Sequence, residues 1–294
     1  MLLKAVKPEV VATPKPKFMI SGGSGVGKTW FSLSFPTPYF MDIEGGAVRE
    51  QYRKKLADVG GVYFGKEQGS QDFNTVIEEI KTLTTTKHSY KTLVIDSFTH
   101  LYLTAAAIAE EKMGNDFGKD RKEANRPTRL LMRWLESIDM TVILICHAKD
   151  KWVRRGRDVV NTGTTFDGYE KLEFSMDLWL EAQKLGNTRT LFVKKSRIDA
   201  FPEGKEFPLD YKEFSNLYGK EAIEKETKPV EMATDDQAAK LRKLLDVVKF
   251  DDGVVEKWLD KASADRFEDM TAAQVTACIS LCEKKLADSL KGGK

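Results

Sequence analysis

The chain has 294 residues, of which 41% are hydrophobic and 31% are charged, and its formal net charge is +2 at pH 7. This balance is typical of a globular protein with a hydrophobic core, and the length suffices for one medium domain plus a smaller one. So small a net charge does not indicate a nucleic-acid binder by itself, although a local basic patch can still bind phosphates.

Features that would indicate a membrane or secreted protein are missing from the sequence. No apolar run reaches the roughly 18 residues that span a bilayer, and the N-terminus has no signal-peptide core. The three cysteines form no Cys-x-x-Cys pair, which fits a reducing compartment. We therefore expect a cytoplasmic protein with no membrane partner.

The predicted elements alternate between strands and helices along most of the chain. Residues 1–16 hold three prolines and interspersed lysines, which favours an extended arm. Predicted strands cover 17–21, 39–43, 62–65, 92–96, 141–147, 178–183 and 190–195. Predicted helices cover 27–35, 73–83, 101–112 and 128–138. Because several strands are continuous apolar runs, the sequence predicts an α/β fold with a mostly parallel sheet that is covered on both faces.

The C-terminal part of the chain has a different composition. Residues 219–232 are charged and poor in β-branched and aromatic side chains, which predicts a linker. From Ala233 onward, apolar residues recur at helical spacing. The predicted organisation is therefore an arm (1–16), an α/β core (17–218), a charged linker (219–232) and a small helical C-terminal module (233–294).

A glycine-rich segment follows the first predicted strand and opens the first predicted helix: Gly22, Gly23, Ser24, Gly25, Val26, Gly27, Lys28 and Thr29. It matches the P-loop pattern Gly-x-x-x-x-Gly-Lys-Ser/Thr, whose glycines let backbone N–H groups approach phosphate oxygens. Lys28 can then reach the β- and γ-phosphates, and the Thr29 hydroxyl can hold Mg²⁺. The sequence predicts an ATP and Mg²⁺ site formed by this segment and Trp30, and its strand–loop–helix context disfavours a plain glycine-rich turn.

Asp96 ends the apolar strand 92–96. In addition to the Thr29 hydroxyl, a P-loop site uses a carboxylate that orients Mg²⁺ through its water shell, and Asp96 suits this role. A cap on the following helix is the simpler alternative. The next residue is Ser97, where many P-loop ATPases carry the glutamate that activates water. This chain therefore needs its base elsewhere.

Two further carboxylates, Asp42 and Glu44, lie at the end of the strand after the P-loop helix. This is the sheet edge where α/β proteins bind ligands. Together with Asp96, which lacks an adjoining glutamate, and the later polar-tipped strand, this pattern resembles RecA-type recombinases and their phage relatives. In that family the glutamate of Asp-x-Glu is the general base for the attacking water. The resemblance implies this role for Glu44, and an exposed loop acid is the alternative.

The same resemblance implies roles for three later residues. His147 ends strand 141–147, where the RecA family and related ring helicases carry a polar sensor of the γ-phosphate; a simple hydrogen-bonded histidine is the alternative. Lys195 and Arg197 end the last predicted core strand and resemble the trans-acting pair that reaches a neighbouring subunit's γ-phosphate. That role implies a homo-oligomer, either ring or filament, whereas a solvated basic strand end has no such partner. We expect His88 and His100 to be structural or exposed.

A basic segment with a central aromatic residue lies after His147: Lys149, Lys151, Trp152, Arg154, Arg155 and Arg157. Basic residues beside an aromatic platform are typical of sequence-tolerant binding to single-stranded DNA. In RecA-type proteins, loops at this point face the DNA. The alternative is a solvated β-hairpin without a partner.

The arrangement of core, linker and tail resembles phage-encoded RecA-like single-strand annealing proteins of the Sak type. The tail loosely resembles small C-terminal modules of phage recombination proteins, for which we consider a single-strand binding protein as partner. The resemblance implies an ATPase, stimulated by single-stranded DNA, that anneals or pairs strands in recombination.

Two other function classes stay open. One is a ring-forming DNA motor, that is, a helicase or helicase loader, although helicases of this fold normally carry an extra N-terminal domain that a 16-residue arm cannot form. The other is a regulatory P-loop ATPase, or a small-molecule kinase, with no DNA role. A kinase would need a lid and an acceptor pocket, and the sequence indicates neither.

Overall fold

A computed structural model describes residues 13–113, 126–156, 158–262 and 264–292 of the chain. Most of the predicted arm, the predicted DNA-binding residue Arg157 and the side chain of Arg155 lie outside what it describes. Among the described residues, no helix has the length and apolar character needed to cross a membrane.

The described residues fall into two compact units. The first comprises Met1–Phe73, Ser89–Thr104 and Met140–Thr227, and the second comprises Asn74–His88, Ala105–Asp139 and Lys228–Lys294. The first unit contains all of the predicted site residues. The boundaries proposed from composition, at 16, 218 and 232, stay a prediction.

The first unit is built on a nine-stranded sheet within the described residues. Its strands are β1 (Lys17–Gly22), β2 (Pro38–Asp42), β3 (Val62–Phe64), β4 (Thr92–Asp96), β5 (Thr141–Arg155), β6 (Asp158–Asp167), β7 (Leu178–Leu185), β8 (Thr188–Ser196) and β9 (Glu206–Pro208). Their order is β3-β2-β4-β5-β1-β7-β8-β9, and β6 pairs with β5. The six strands from β3 to β7 in this order pair in parallel, whereas β6, β8 and β9 add antiparallel pairs.

Eleven α-helices occur in the described residues. They are α1 (Lys28–Ser32), α2 (Glu50–Asp58), α3 (Phe73–Thr85), α4 (Phe98–Met113), α5 (Arg126–Ser137), α6 (Leu172–Ser175), α7 (Tyr211–Tyr218), α8 (Lys220–Glu224), α9 (Asp235–Val247), α10 (Val254–Ala262) and α11 (Ala272–Gly292). Helix α8 lies inside the segment predicted as a linker, so that segment is partly helical. The prediction of an α/β fold with a mostly parallel sheet and C-terminal helices is confirmed.

The continuous apolar strands are buried on both faces, as their composition predicts. Phe18 and Ile20 of β1, with Ile143 of β5, have no exposed surface and belong to one hydrophobic core. The rings of Phe18 and Phe214 have centroids 5.0 Å apart, which packs β1 against α7. Because burial of this kind is roughly proportional to the apolar area removed from water, the core holds β1, and with it the start of the P-loop, in a fixed position.

Strand register places several polar residues at one edge of the sheet. Gly22 pairs with His147, Asp96 with Ile145, and Asp42 with Asp96. Parallel strands end at the same edge, so four strands that are far apart in sequence present their last residues side by side. This edge carries the site described below.

Strand β5 is longer than the sequence predicted. It continues past His147 to Arg155, because β6 pairs with this extension in antiparallel register from Asp167 to Asp158. From Lys149 to Arg155, the basic segment is therefore one strand of a β-hairpin and not an irregular loop. Its residues alternate between two solvent-exposed faces, which removes the apolar periodicity by which a strand is recognised.

The C-terminal helices α9, α10 and α11 form a separate hydrophobic cluster in the second unit. Leu241, Val275 and Cys282 are fully buried in it. Thr234 and Gln237 form a capping box at the start of α9, which satisfies backbone N–H groups that the first helical turn leaves unpaired. The helical character predicted for this region from residue spacing is confirmed.

Candidate functional site

The P-loop adopts a backbone that requires glycine at two positions. Gly22 has a φ of +150°, and a Cβ there would lie 2.6 Å from the carbonyl oxygen of Ala182. Gly27 has a φ of +109°, and a Cβ there would lie 2.9 Å from a methyl carbon of Leu209. The loop therefore runs so close to neighbouring residues that side chains are excluded, which leaves its backbone N–H groups accessible to an anion.

Lys28 folds back over the loop that precedes it. Its Nζ donates hydrogen bonds to the carbonyl oxygens of Gly22 and Gly23, both at 2.8 Å. Burial lowers the pKa of Lys28, and the nearby carboxylates of Asp96 and Glu44 oppose that effect. The ammonium group thus lies at the mouth of the glycine cradle, among groups that stabilise its charge.

Thr29 and Asp96 are in direct contact. The Thr29 hydroxyl donates a hydrogen bond of 2.6 Å to Oδ2 of Asp96, which joins α1 to the end of β4. Burial, together with the negative charges of Glu44 and Asp42, raises the pKa of Asp96 to about 6 against the opposing effects of this hydrogen bond and of Lys28. Adjacent hydroxyl and carboxylate oxygens are the ligand type that a hard cation such as Mg²⁺ prefers, so these two residues fit the predicted ion.

Asp42 holds the turn that carries Glu44, a role that the sequence did not indicate. Its buried carboxylate accepts four hydrogen bonds of 2.7–3.0 Å, from the backbone N–H groups of Gly45, Gly46 and Ala47 and from the hydroxyl of Tyr63. Burial and the contact with Asp42 raise the pKa of Tyr63 to about 12, so this hydroxyl stays a donor. The turn after β2 is therefore fixed by one acid.

Glu44 lies between two histidines. Its Oε1 is 2.7 Å from Nε2 of His147 and 3.0 Å from Nδ1 of His100. Burial by itself would raise the pKa of Glu44, but a hydrogen bond with Ser97 and the charges of His147 and His100 outweigh it and lower that pKa. Glu44 is thus held as a carboxylate at the same edge as Lys28 and Asp96.

His100 is exposed, as expected, but its contact with Glu44 was not foreseen. A signal for it exists, because Ser97 and His100 are three residues apart at the start of α4, directly after Asp96. The His100 backbone N–H donates to Oγ of Ser97 at 3.3 Å, which places the ring on the first turn of the helix at the site edge. His88 lies outside this cluster, with its Nε2 2.8 Å from the Leu83 carbonyl oxygen.

The P-loop, Asp42, Glu44, Asp96 and His147 line one open cleft of about 1180 Å³. Trp30, predicted as part of the nucleotide site, also lines the cleft. Eight further lining residues were not predicted, which are Gly46, Gln51, Tyr52, Ile145, Ala148, Asn187, Arg189 and Leu209. They come from the turn after β2, from α2, from β5 and from the region between β7 and α7, and no local pattern marks them as cleft residues.

Lys195 and Arg197 lie away from this cleft. Lys195 pairs with Trp179, and Trp179 pairs with Met19, three residues before Gly22 on β1. Lys195 donates to the carbonyl oxygen of Met176, and Arg197 to that of Phe174. Neither side chain contacts the P-loop of its own chain, so a role at that loop would require a second subunit, which stays a prediction.

The basic hairpin presents four of its predicted residues to solvent, those whose side chains the structure describes. Trp152 is 59% exposed, and Lys149, Lys151 and Arg154 are exposed as well. Lys149 forms an ion pair of 2.9 Å with Asp167 across the base of the hairpin. The structure therefore brings these residues together on one element, and their binding of DNA stays a prediction.

Comparison with known proteins identifies the family. Residues 14–200 match the family model described as AAA domain. The chain belongs to the AAA domain family. It is accordingly a P-loop ATPase, which confirms the coarser part of the sequence prediction, whereas membership of the Sak-type group stays a prediction. No curated protein matches the chain.

A solved structure is also similar to this chain, but only weakly. The crystal structure of the RadB recombinase matches with 18% sequence identity and a TM-score of 0.43, and the match covers 66% of this chain and 86% of the RadB chain. A similarity at this level carries no argument about activity or partners.

The four hydrogen bonds to Asp42 make this residue a determinant of stability in the AAA domain. We expect Asp42→Ala to lower the free energy of unfolding by roughly 3 kcal/mol or more, because three backbone N–H groups lose a charged acceptor. Asp42→Asn keeps one acceptor oxygen and should cost less. Urea denaturation measures both, with the exposed Asp58→Ala as control, which should stay within about 0.5 kcal/mol of wild type. Equal stability of Asp42→Ala and Asp58→Ala would contradict this role.

Proposed function

We propose that this chain binds ATP with Mg²⁺, hydrolyses it, and uses the cycle to act on single-stranded DNA. The observation that carries the proposal is the convergence of Lys28, the Thr29–Asp96 pair and Glu44 on one cleft beside the glycine cradle. Lys28 offers a cation that can bind phosphate. Thr29 and Asp96 offer oxygen ligands for Mg²⁺, and Glu44 offers a carboxylate that can accept a proton.

Binding begins at the P-loop. Lys28 is the residue that changes partners, since its ammonium is bonded to two loop carbonyls at 2.8 Å and a phosphate oxygen is a stronger, charged acceptor. Thr29 and Asp96 would hold Mg²⁺, which when bound supplies positive charge that stabilises the transferring phosphoryl group. The glycine backbone would then surround the phosphates, since its close-packed positions carry no side chains.

Glu44 is the proposed general base for the attacking water. Its lowered pKa keeps it ionised at neutral pH, and the Asp42 turn limits where its side chain can go. A general base works only within hydrogen-bond reach of the proton that it abstracts, so this fixed position matters as much as basicity. Nε2 of His147 lies 2.7 Å from Oε1 of Glu44, and we propose His147 as the sensor of the γ-phosphate.

The contact between Glu44 and His147 offers a route from the ATP site to the hairpin. His147 and Lys149 lie two residues apart on β5, and β5 continues into the hairpin strand that carries Trp152. A change in the Glu44–His147 contact on hydrolysis would therefore act on the same strand that presents the basic residues. We propose this strand as the coupling element.

Glu44→Gln separates binding from chemistry. The amide keeps the size and polarity of the side chain but cannot accept the proton of water, so ATP should bind with near wild-type affinity while turnover falls by ~10²-fold or more. Calorimetry measures the first and phosphate release the second. The matched control is Glu67→Gln at an exposed glutamate, which should retain full turnover. Unchanged turnover in Glu44→Gln would assign the base to another residue.

We propose the hairpin as the site for single-stranded DNA. Trp152 and Arg154 are two residues apart on one strand and therefore share a face, which they form with Asn161 and Val159 of the paired strand. A half-exposed indole offers a stacking platform for bases, and the neighbouring guanidinium offers a phosphate contact. Val159 is 62% exposed and widens the apolar part of this face.

Salt dependence distinguishes the two kinds of contact. Replacing Lys151 and Arg154 by Ala should flatten the dependence of log K on log salt by up to about 1.4, since each phosphate neutralised on a single strand contributes about 0.7. Trp152→Ala should weaken binding by ~1–3 kcal/mol with little change in slope, because stacking releases no counterions. Fluorescence anisotropy with labelled oligonucleotides measures both.

The control for the charge change is the double variant Lys54→Ala and Lys66→Ala, which removes two exposed cations elsewhere in the first unit. Its slope and affinity should match wild type. If all three variants bind alike, the DNA site is not this hairpin. If the wild-type protein binds no single-stranded DNA, a regulatory ATPase without a DNA role replaces the recombination function. Strand annealing, and a single-strand binding protein as partner of the C-terminal module, are then excluded as well.

We propose that Lys195 and Arg197 complete the site of a neighbouring subunit in a ring or filament. Their distance in register from the P-loop of their own chain supports this. Arg197→Ala alone should be inactive, and mixing it with Lys28→Ala should restore part of the ATPase activity, because each variant supplies what the other lacks. Co-assembly without any rescue would contradict a shared site.

A further inference from the structure

Three side chains from different parts of the chain form a compact cluster: Glu44 and His147, which line the cleft, and His100 beside them. One ligand atom from each lies within 4.8 Å of the others. The two imidazole rings are 5.4 Å apart at an angle of 77°, so they approach the carboxylate from different directions. Their side chains keep 30–51% of their surface exposed, which leaves access from solvent.

We propose that this cluster binds a divalent transition-metal ion of the zinc type through His100 Nδ1, His147 Nε2 and the Glu44 carboxylate. Two imidazoles and one carboxylate are a ligand set that such ions select, and a water molecule would complete four-fold coordination. The Thr29–Asp96 pair offers only oxygen and suits Mg²⁺ instead. Ligand softness thus distinguishes two sites in one cleft.

The spacing of the ligand atoms is close to what the ion needs. With metal–ligand bonds of about 2.0–2.1 Å, tetrahedral ligands lie about 3.3 Å apart. Glu44 Oε1 is 2.7 Å and 3.0 Å from the two histidine nitrogens, so the side chains need to spread by a few tenths of an ångström. Each imidazole must present an unprotonated nitrogen, which places the ring proton on Nε2 of His100 and on Nδ1 of His147.

Hydrogen bonds hold the backbone that carries Glu44 and His147. The Asp42 turn holds the Glu44 segment. The backbone N–H of His147 donates to Oγ1 of Thr99 at 3.0 Å. The Thr99 hydroxyl in turn donates to the carbonyl oxygen of Asp167 at 2.6 Å. These contacts hold the segments that carry Glu44 and His147 in place before an ion arrives.

The surrounding charge also favours a cation. Glu44 and Asp42 lie near enough to Asp96 for their negative charges to raise the pKa of its carboxyl group, so three carboxylates stand close together here. Lys28 opposes a cation here, and so would Mg²⁺ at Asp96. Binding should therefore be tightest in the nucleotide-free protein.

A bound ion would occupy the carboxylate that we propose as the general base. The expected consequence is inhibition of ATP hydrolysis without loss of ATP binding. This consequence rests on the proposed function, whereas metal binding itself does not.

Cobalt titration of the full, nucleotide-free chain tests the site. Wild type should bind one Co²⁺ with a visible absorption band of nitrogen and oxygen ligation, and Zn²⁺ should displace it. The chain has three histidines, so His88→Ala is the matched control and should behave as wild type. His100→Ala should weaken Co²⁺ binding by at least ~10–100-fold, the range seen even for outer-shell changes.

His100→Asn guards against a folding defect, because its amide keeps an N–H near the Nδ1 position but is a poor ligand for these ions. Thermal melts should show it folded, with Co²⁺ affinity reduced as in His100→Ala. No absorption band in wild type, or equal affinity in wild type and both His100 variants, would overturn the metal site and leave a hydrogen-bonded cluster.

Hydrolysis under buffered free Zn²⁺ is measured on the same proteins. Wild type should lose activity at Zn²⁺ concentrations that His100→Asn tolerates at least ~10-fold better relative to its own uninhibited rate. Metal binding that leaves wild-type hydrolysis unchanged would support the site and count against Glu44 as the base. The failure of one proposal is therefore distinguishable from the failure of the other.

Discussion

The hydrogen bond between Thr29 and Asp96 is the contact on which the functional arrangement depends. At 2.6 Å it joins the helix after the P-loop to the end of β4, although β5 lies between β1 and β4 in the sheet. Asp96 is in register with Asp42 on the neighbouring strand, so fixing Asp96 against α1 also fixes the turn that carries Glu44. The apolar strands beneath supply the rigidity that keeps these polar ends in place.

Three carboxylates at this edge have the same chemistry and different environments. Asp42 is saturated by four hydrogen bonds and serves the backbone. Burial keeps the pKa of Asp96 near 6, while Ser97 and the two histidines hold the pKa of Glu44 low. Environment thus separates a structural acid, a proposed ion ligand and a proposed base, which is how one residue type takes different roles in a single site.

The sequence predicts those parts of the site that consist of neighbouring residues or of the last residue of an apolar strand. The P-loop was predictable because its glycines, Lys28 and Thr29 are contiguous, and Asp96 because it ends a buried strand. The contact of His100 with Glu44 depends on the packing of two segments that are far apart in sequence, and Arg189 reaches the cleft from the start of β8, so no sequence pattern joins either residue to the site. The extension of β5 past His147 was not predicted because both faces of the hairpin are exposed, so no alternation of buried apolar residues marks the strand. Lys195 and Arg197 rest on the family resemblance, since nothing within one chain brings them to the P-loop.

The most direct test of the account is the affinity for ATP with Mg²⁺ across pH, compared between wild type and Asp96→Asn. Since the pKa of Asp96 is raised to about 6, its carboxylate should be available to Mg²⁺ above that pH and be neutralised by a proton below it. ATP titrates alike in both measurements, so the ratio of the two affinities reports Asp96. We expect wild type to bind more tightly at pH 7.5 and this advantage to vanish as pH falls through about 6. A ratio near one at every pH would contradict the assignment of Asp96 and Thr29 as the ion site.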